Sequence, residues 1–343
     1  GDTPLIKKET LERALKLIDS DENVANVIIA METNDGKEYG CLVFDNDENI
    51  VSILEHGFDK NLTNLKRSNL YNAGLLIRKN FLDKFLNTLS ISKIKNEILV
   101  TDLIDIAATH GYRNKYVKSD DKELMGVNTR NDLSIAESVF QDDLRRKFMS
   151  NGVTLKDKNT VYFSYDTVIG SDVTIYPNVY IGKNVVIEDN VCIYPFCFLE
   201  DVVVRNGAKI GPFARIRGGS VIEESAEIGN FVEIKKSSIG PYSKVKHLSY
   251  IGDTEVGIKV NIGAGTITCN YDGVNKFKSH IGNNVFIGSN TCIISPVNIS
   301  DNSMTAACTT VTCNMDENDM AISRVQQTNI KNGALKYFAK RKK

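Results

Sequence analysis

From Ile169 onward an aliphatic residue returns at every sixth position: Ile169, Ile175, Ile181, Ile187, Ile193 and Leu199. After a slip in register the spacing resumes as Ile210, Ile216, Ile222, Ile228 and Ile234. A third run reads Ile281, Ile287, Ile293, Ile299, Thr305 and Val311. A period of six fits neither the 3.6-residue turn of a helix nor the plain alternation of a lone strand, so internal repetition governs the fold. Each hexad predicts one short strand and one corner. Three hexads close a triangular coil of about 18 residues, and the aliphatic positions stack about 4.8 Å apart inside a prism. Small residues that follow, as in Ile169-Gly170, Ile181-Gly182 and Ile281-Gly282, suit tight corners. The aliphatic positions are read as core packing. A repeat alone predicts a scaffold, and chemistry has to come from the places where it breaks.

The pattern before the repeat is different. Lys8 to Ile18 carries Leu11, Ala14, Leu15 and Ile18 at helical spacing, and Val24 to Met31 is an aliphatic strand. Tyr39 to Phe44, Ile50 to Leu54, Leu70 to Ile77 and Asn114 to Val117 read as further strands. Leu82 to Leu89 and Glu97 to Thr109 read as helices, the second with Leu99, Leu103, Ile104, Ile106 and Ala107 on one side. This alternation predicts an α/β domain with a mixed sheet over residues 1–130. Asn131 to Met149 predicts one long helix through Leu133, Ile135, Val139, Leu144 and Phe148, stopped at Asn151-Gly152. It serves as the connector (131–154) to a prism over 155–326, and 327–343 remains as a basic tail.

At 343 residues the chain is long enough for two cores, and a net charge of −1 gives no global field toward nucleic acid or membrane. Only the stretch from Lys331 to Lys343, with six basic residues and no acidic one, departs from that balance; it is read as a solvated, frayed terminus. The cysteines at 41, 192, 197, 269, 292, 308 and 313 show no CxxC spacing, which argues against zinc and a disulfide framework. No apolar run reaches the roughly 18 residues of a membrane span, and the chain is expected to be soluble and cytoplasmic.

The repeat breaks most densely between Arg215 and Lys278. Arg217-Gly218-Gly219, Lys235-Lys236, and Lys244 with Lys246 and His247 follow one another. Then Asn261 to Gly273, ending in Lys276-Phe277-Lys278, is too rich in glycine and polar residues for a coil, which predicts a loop leaving the prism. Four segments here carry a resemblance: Gly229 to Lys236, His247 to Asp253, Asn261 to Lys278, and Ala321-Ile322-Ser323-Arg324-Val325. Together they resemble the bacterial bifunctional GlmU family.

The resemblance implies a partial Rossmann-like α/β pyrophosphorylase domain followed by a left-handed parallel β-helix of hexapeptide repeats, in a homotrimer with active sites between subunits. It also implies acetyl transfer from acetyl-CoA to the amine of glucosamine 1-phosphate, and uridylylation of the product by UTP to UDP-GlcNAc. His247 resembles the general base, a role suited to an imidazole because the attacking amine must be neutral. Arg217, Lys235 and Lys276 resemble ligands of the sugar phosphate, where a planar fork and point charges suit a dianion. Tyr250 and Asn261 resemble sugar-orienting groups. Ala264, Asn270, Tyr271, Ser289, Ala307 and Arg324 resemble acetyl-CoA contacts, small residues letting backbone N–H groups approach the thioester. Cys308, where the family usually has glycine, and Gln326, where proline is usual, depart from the pattern and bear on coenzyme binding.

Echoes in the first half are sparser. Gly1-Asp2-Thr3-Pro4-Leu5 resembles the strand end whose aspartate binds Mg2+, with Asn128 as second ligand. Gly40, Glu55, Asn72 and Asn128 resemble UDP-GlcNAc contacts, Gly40 following Tyr39 and Asn128 closing Gly126-Val127-Asn128. A hard cation held by one carboxylate and an amide oxygen is reasonable chemistry. No GxGxxG occurs in the first 150 residues. The family's opening Gly-rich segment is absent too, so this domain is expected to be cut off at its N-terminal side and to have negligible uridylyltransferase activity, a longer parent having both. Two alternatives stand beside this reading: a non-catalytic hexapeptide scaffold that binds a nucleotide sugar, and a transferase for another sugar. A base beside three cations favours the acetyltransferase.

Overall fold

Along one strand of the first unit that is buried on both faces, residues that meet one helix alternate with residues that meet another, and that alternation builds three layers. The computed structural model describes residues 2–33, 36, 39–55, 65–92 and 96–341; Gly1, which opens the first echo above, lies outside them. Contacts divide the chain into two compact units, 1–140 and 141–343. In the first unit α1 (Lys8–Asp19), β1 (Val24–Glu32), β2 (Cys41–Phe44), β3 (Ile50–Leu54) and β4 (Lys66–Ile77) are followed by α2 (Lys79–Phe85), α3 (Asp102–Thr109) and β5 (Arg113–Ser119). The sheet order is β3-β2-β4-β1-β5, with β5 parallel to β1 and the other pairs antiparallel. Val27, Ile29 and Met31 of β1 pack with Ala14 and Ile18 of α1, while Ile28 and Ala30 pack with Ile104 of α3. A mixed sheet covered on both sides follows, as the pattern predicted.

Several boundaries move. The helix expected over Glu97 to Thr109 begins only at Asp102. Asp102 and Asp105 fill its first turn, where carboxylates meet the positive end of the helix dipole. Ahead of it Ile98 bridges Ile91, and the Ser92 N–H donates to the Glu97 carbonyl at 2.9 Å, so Leu99 stands outside the helix. The helix expected over Leu82 to Leu89 is α2 plus a 3-10 turn at Leu86–Thr88, and β2 and β4 start at Cys41 and Lys66.

The long helix α4 (Arg130–Ser150) forms where expected, with a different buried side. Leu133 and Ile135 are exposed, whereas Gln141, Arg145 and Phe148 are buried. The reason is polar: the Gln141 amide donates to the Phe163 carbonyl (2.7 Å) and accepts from the Phe163 N–H (2.9 Å), and Arg145 Nε donates to the Val161 carbonyl (3.0 Å). Val161 and Phe163 lie on the edge strand of the prism, so these side chains satisfy backbone groups that have no further coil to pair with.

The prism has three parallel sheets of ten, nine and eight strands. In chain order the inward residues of the first face are Ile175, Ile193, Ile210, Ile228, Val245, Ile262 and Ile287. On the second face they are Ile181, Leu199, Ile216, Ile234, Ile251, Thr268 and Ile293. The third face has Ile187, Val204, Ile222, Ile239, Val256 and Ile281. All belong to the buried interior, and all except Thr268 are part of one continuous hydrophobic core. The expected 18-residue coil is one of four lengths, the shortest being the 16 positions between Thr305 and Ala321. Ile175 pairs with Ile193 across 18 positions, Ile193 with Ile210 and Ile228 with Val245 across 17, and Ile262 with Ile287 across 25. Each variation falls on the edge between the second and third faces. There the sides Leu199–Val204, Ile234–Ile239 and Ile251–Val256 are one residue short, and the excursion from Thr268 to Ile281 is long. The register slip seen in the sequence is the first of these short sides.

The basic tail also differs from expectation, forming a short helix, α5 (Gly333–Ala339), with Leu335 and Phe338 exposed. The Arg341 guanidinium lies 4.6 Å from the centre of the Tyr337 ring, a contact that helps to hold it.

Candidate functional site

Corner geometry builds the site. Between the first and second faces five successive coils turn through Gly229-Asn230-Phe231, Lys246-His247-Leu248, Gly263-Ala264-Gly265, Gly288-Ser289-Asn290 and Ala306-Ala307-Cys308. The third residue of each triplet has positive φ. Its N–H donates to the middle residue of the preceding coil: Leu248 to Asn230 (3.0 Å), Gly265 to His247 (3.3 Å), Asn290 to Ala264 (2.7 Å) and Cys308 to Ser289 (2.7 Å). Asn230, His247, Ala264, Ser289 and Ala307 therefore form one column along a single edge. Arg324 closes it, donating from Nη1 to the Ala307 carbonyl at 2.9 Å.

The side chain of His247 is exposed, and its Nδ1 lies 2.8 Å from Asn230 Oδ1. An amide oxygen only accepts, so Nδ1 carries the proton and the Nε2 lone pair is left open, the tautomer a base requires. Ser249 pins the turn from inside, its hydroxyl donating to the His247 carbonyl at 2.7 Å. Sequence reasoning missed Asn230. The signal was present, because Asn230 precedes His247 by 17 positions, the length of that coil.

The edge between the second and third faces carries charge. Arg217 and Lys235 are register partners on adjacent strands. Lys235 Nζ lies 2.9 Å from Asp253 Oδ2, with their side chains 12% and 11% exposed. The Asn270 amide donates to the same carboxylate oxygen. Burial opposes ionisation of Asp253. Hydrogen bonds from Lys235 and Asn270, with the charges of Lys235 and Lys236, outweigh it and hold the carboxyl below its ordinary range. Arg217 is paired in turn with Glu233, Nη1 to Oε1 at 2.8 Å. Asp253 and Glu233 are the second group that sequence reasoning missed.

Tyr250 lies between the two edges on the outer surface of the second face, beside Glu233 and Ile267. A Cβ on Gly252 would collide with its ring, so the glycine makes room for the tyrosine to lie toward Lys235 and Asp253. Asn261 stands elsewhere, on the outer surface of the first face between Lys244 and Phe286. The loop expected over Asn261 to Lys278 is shorter than that: Asn261–Ile262 and Ile267–Cys269 are strands of the prism, and only the part after Cys269 leaves it, as a hairpin. Tyr271 bridges Lys276, and Asp272 Oδ1 accepts from the N–H groups of Val274 (2.7 Å) and Asn275 (2.6 Å). Lys276 is exposed and forms no ion pair among the described residues. Within one chain, then, His247, Ala264, Ser289, Ala307 and Arg324 come together, and Arg217, Lys235 and Asn270 form a second group. Asn270 is thus on the charged edge, apart from the column of the other expected coenzyme residues.

In the first unit a smaller set converges. The Asn72 N–H donates to the Gly40 carbonyl (2.8 Å), and a Cβ on Gly40 would press on Ile53 and come within 3.4 Å of the Glu55 carboxyl. Glu55 Oε1 accepts from the Thr101 hydroxyl at 2.9 Å. The Val127 N–H donates to the Asp2 carbonyl (2.8 Å) and the Gly126 N–H to the Tyr39 hydroxyl (2.7 Å), which brings positions 2 and 126–128 side by side. Among the described residues no three His, Cys, Asp or Glu side chains form a metal-binding group. The pair Asp2 and Asn128 offers one carboxylate and one amide, a donor set that suits a cation retaining most of its own water.

Residues 166–200 and 201–236 each match the family model described as bacterial transferase hexapeptide (six repeats). The chain is 42% identical to the bifunctional protein GlmU of Wolbachia pipientis over 329 residues, 95% of this chain and 74% of that protein. It is 39% identical to the bifunctional protein GlmU of Zymomonas mobilis over 345 residues, 100% of this chain and 76% of that protein. Among solved structures, a UDP-N-acetylglucosamine acyltransferase from Bacteroides fragilis shares 19% identity at a TM-score of 0.40, covering 48% of this chain and 70% of that one. By its identity to these relatives and the share of them it spans, the chain belongs to the GlmU family of bifunctional proteins.

Proposed function

We propose that the prism transfers acetyl from acetyl-CoA to the amine of glucosamine 1-phosphate, giving N-acetylglucosamine 1-phosphate, with His247 as the base. The observation that carries this reading is the column Asn230, His247, Ala264, Ser289 and Ala307. A base with its Nε2 lone pair outward stands at the foot of a run of small residues along which a thioester and its pantetheine arm can lie. The amine nitrogen attacks the thioester carbonyl, His247 takes the proton released from nitrogen, and as the C–S bond breaks the imidazolium returns that proton to the leaving thiolate, giving coenzyme A as its thiol. The backbone N–H groups of Ala264 and Ala307 themselves, those of their neighbours being used between coils, stabilise the developing oxyanion. Arg324, Ser289 and Tyr271 hold the coenzyme, and Asn270, which the resemblance implied as a further coenzyme contact, is assigned instead to the acceptor side, where it bonds Asp253. Arg217, Lys235 and Lys276 take the sugar phosphate, the first two shared between their carboxylate partners and the dianion. Tyr250 and Asn261 orient the sugar ring.

Asn261 lies on the first face and Lys276 on the hairpin, so a site that uses them together with Tyr250 is completed by a second copy. We take the assembly to be a homotrimer. The exposed ladder Phe196, Phe213 and Phe231, stacked at 4.8 and 5.1 Å and followed by Leu248, supports this. These bulky residues hold positive φ, a conformation that costs about 1 kcal/mol or more for such side chains. Covering them by a neighbouring prism offsets that cost.

In the α/β unit, Gly40, Glu55, Asn72 and Asn128 are assigned to the UDP-GlcNAc side of the second reaction. Asp2 and Asn128 would hold Mg2+, which supplies charge neutralisation for the phosphates when bound. No helix among the described residues is long and apolar enough to cross a membrane, and we assign the protein to the cytoplasm, where both substrates are made.

The test is thiol release from acetyl-CoA in the presence of glucosamine 1-phosphate, for this chain and for His247→Ala. Turnover by the first and near-loss in the second is the expected result. Equal turnover by both would remove His247 from the role of base. A folded trimer that releases no thiol would favour the non-catalytic scaffold.

A further inference from the structure

Asp253 does more than pair with Lys235. The residue makes four separate ties at the root of the hairpin. Its N–H donates to the Lys235 carbonyl at 2.9 Å, and its carbonyl accepts from the Ser279 N–H at 3.1 Å. Its Oδ2 accepts from Lys235 Nζ at 2.9 Å and from the Asn270 amide. Asn270 and Ser279 are the two feet of the excursion that leaves the prism, and Asn270 is also tied across it, accepting from the Phe277 N–H at 2.9 Å. One nearly buried carboxylate residue thus fixes both ends of the segment that carries Tyr271 and Lys276, and fixes Lys235 to the same point. Asp253 has φ +49°, in the left-handed region that Asp and Asn adopt more readily than other non-glycine residues.

We propose that Asp253 is a positioning residue for the acetyl acceptor, setting Lys235 directly and Lys276 through the hairpin so that both cations meet the sugar phosphate in one fixed arrangement. The inference rests on the acetyltransferase reading above. A long lysine side chain is mobile in water, and holding it loses entropy before any substrate arrives. Here that loss is met within the folded protein, so the phosphate binds a preset pair of charges. The carboxylate touches no reacting atom in this scheme. Its loss is expected to weaken acceptor binding and to leave the chemical step nearly as fast.

The experiment uses the full chain and steady-state acetyl transfer with each substrate varied. Asp253→Asn keeps the shape and suits the positive φ. It is expected to raise KM for glucosamine 1-phosphate about tenfold or more while kcat stays within about threefold. Asn270→Ser cuts the same tie from the other side and is expected to raise that KM several-fold. In the double variant the two effects are expected to overlap and not multiply, because each breaks the same tie. A purely structural role would lower kcat and melting temperature together and give multiplicative losses. An unchanged acceptor KM in Asp253→Asn, or full multiplication in the double variant, overturns the proposal. If Asp253→Asn does not melt cooperatively, Asn270→Ser decides alone, an unchanged acceptor KM refuting it. An unmodified chain without acetyl transfer refutes the acetyltransferase reading, and this inference with it. An active chain with an indifferent Asp253→Asn refutes this inference only.

Discussion

The two halves of the prism share a backbone plan and differ in what fills their corners. In the lower half, up to Val232, the buried corner positions are mostly Val and Ala, among them Val173, Val185, Val191, Ala208 and Ala226. In the upper half the same kind of position is mostly Ser or Thr, among them Ser243, Ser249, Thr254, Thr266, Thr291 and Thr309, with Val260, Val285 and Val297 retained. The hydroxyls point back into the turns. Ser237 donates to the Lys235 carbonyl (2.9 Å), Ser249 to His247 (2.7 Å) and Thr254 to Gly252 (2.8 Å). At Thr268 the inward residue itself is a hydroxyl, accepting from the Gly252 N–H at 2.7 Å. A valine in a corner contributes apolar burial and leaves the turn to its own hydrogen bonds. A serine or threonine gives up a methyl group and fixes the orientation of one carbonyl, and with it the residue that carries that carbonyl. The lower half is a plinth. The upper half is built for placement, and the residues it places are Lys235, His247 and the neighbours of Asp253. The generic hexapeptide model matches 166–236, which lies almost wholly in the plinth.

The sharpest way to break this contrast is to exchange the same column position in each half. His247→Ala is expected to slow acetyl transfer about a thousandfold, in the range for loss of a general base. Pro195→Ala, in the same column within the plinth, should leave kcat unchanged by the same thiol-release assay. Next in size is a core deletion in the plinth. Ile193 is fully buried, and Ile193→Ala should cost about 3 kcal/mol in urea unfolding while the residual folded protein keeps its kcat. Asn230→Ala removes the acceptor that fixes the His247 tautomer. We expect about a tenfold fall in kcat with little change in either KM, measured by varying both substrates. Smaller still, Ser249→Val gives an upper corner the residue of a lower one. It should cost about 1 kcal/mol in stability, with a several-fold fall in kcat as the His247 turn loosens.

The smallest expected effect is on pH dependence. Asp253 is held below the ordinary carboxylate range, so the folded state binds its proton less readily than the unfolded chain does. Its contribution to stability is therefore full above the unfolded value near pH 4. It fades as pH falls through the lower folded value. Melting temperatures followed from pH 7 to pH 3 should drop less steeply for Asp253→Asn than for the unmodified chain. An identical acid limb in both would remove Asp253 as a contributor.

Legibility was uneven for reasons that particular residues make plain. Ile175, Ile193 and Ile210 announced the ladder because each hexad repeats one environment. The mixed sheet followed from the succession of strand-like and helix-like segments, because a strand as apolar as Val24 to Met31 has to be covered on both faces. The buried side of α4 was misread, since Gln141 and Arg145 are buried for their hydrogen bonds to an edge strand and no hydropathy pattern encodes that. Asn230, Glu233 and Asp253 went unnoticed because each matters through a partner one coil away, at 16 to 18 positions. A chain read for neighbouring motifs does not register such distances.

What the sequence by itself determined was the prism, its core and the place where it breaks. Six-residue spacing of aliphatic side chains can be buried all together only in a triangular coil, and the polar run that follows Cys269 cannot be one more side of it. Only the tertiary structure decided which of the break's residues share an edge. Coils of 17, 18 and 25 residues shift the stacking by amounts that no fixed period supplies. Ala264, Ser289 and Ala307 thus fall in line above His247, while Asn270 is carried to the other edge to meet Asp253 and Lys235. Hydrogen bonding between coils, one N–H and one carbonyl at a time, makes that choice.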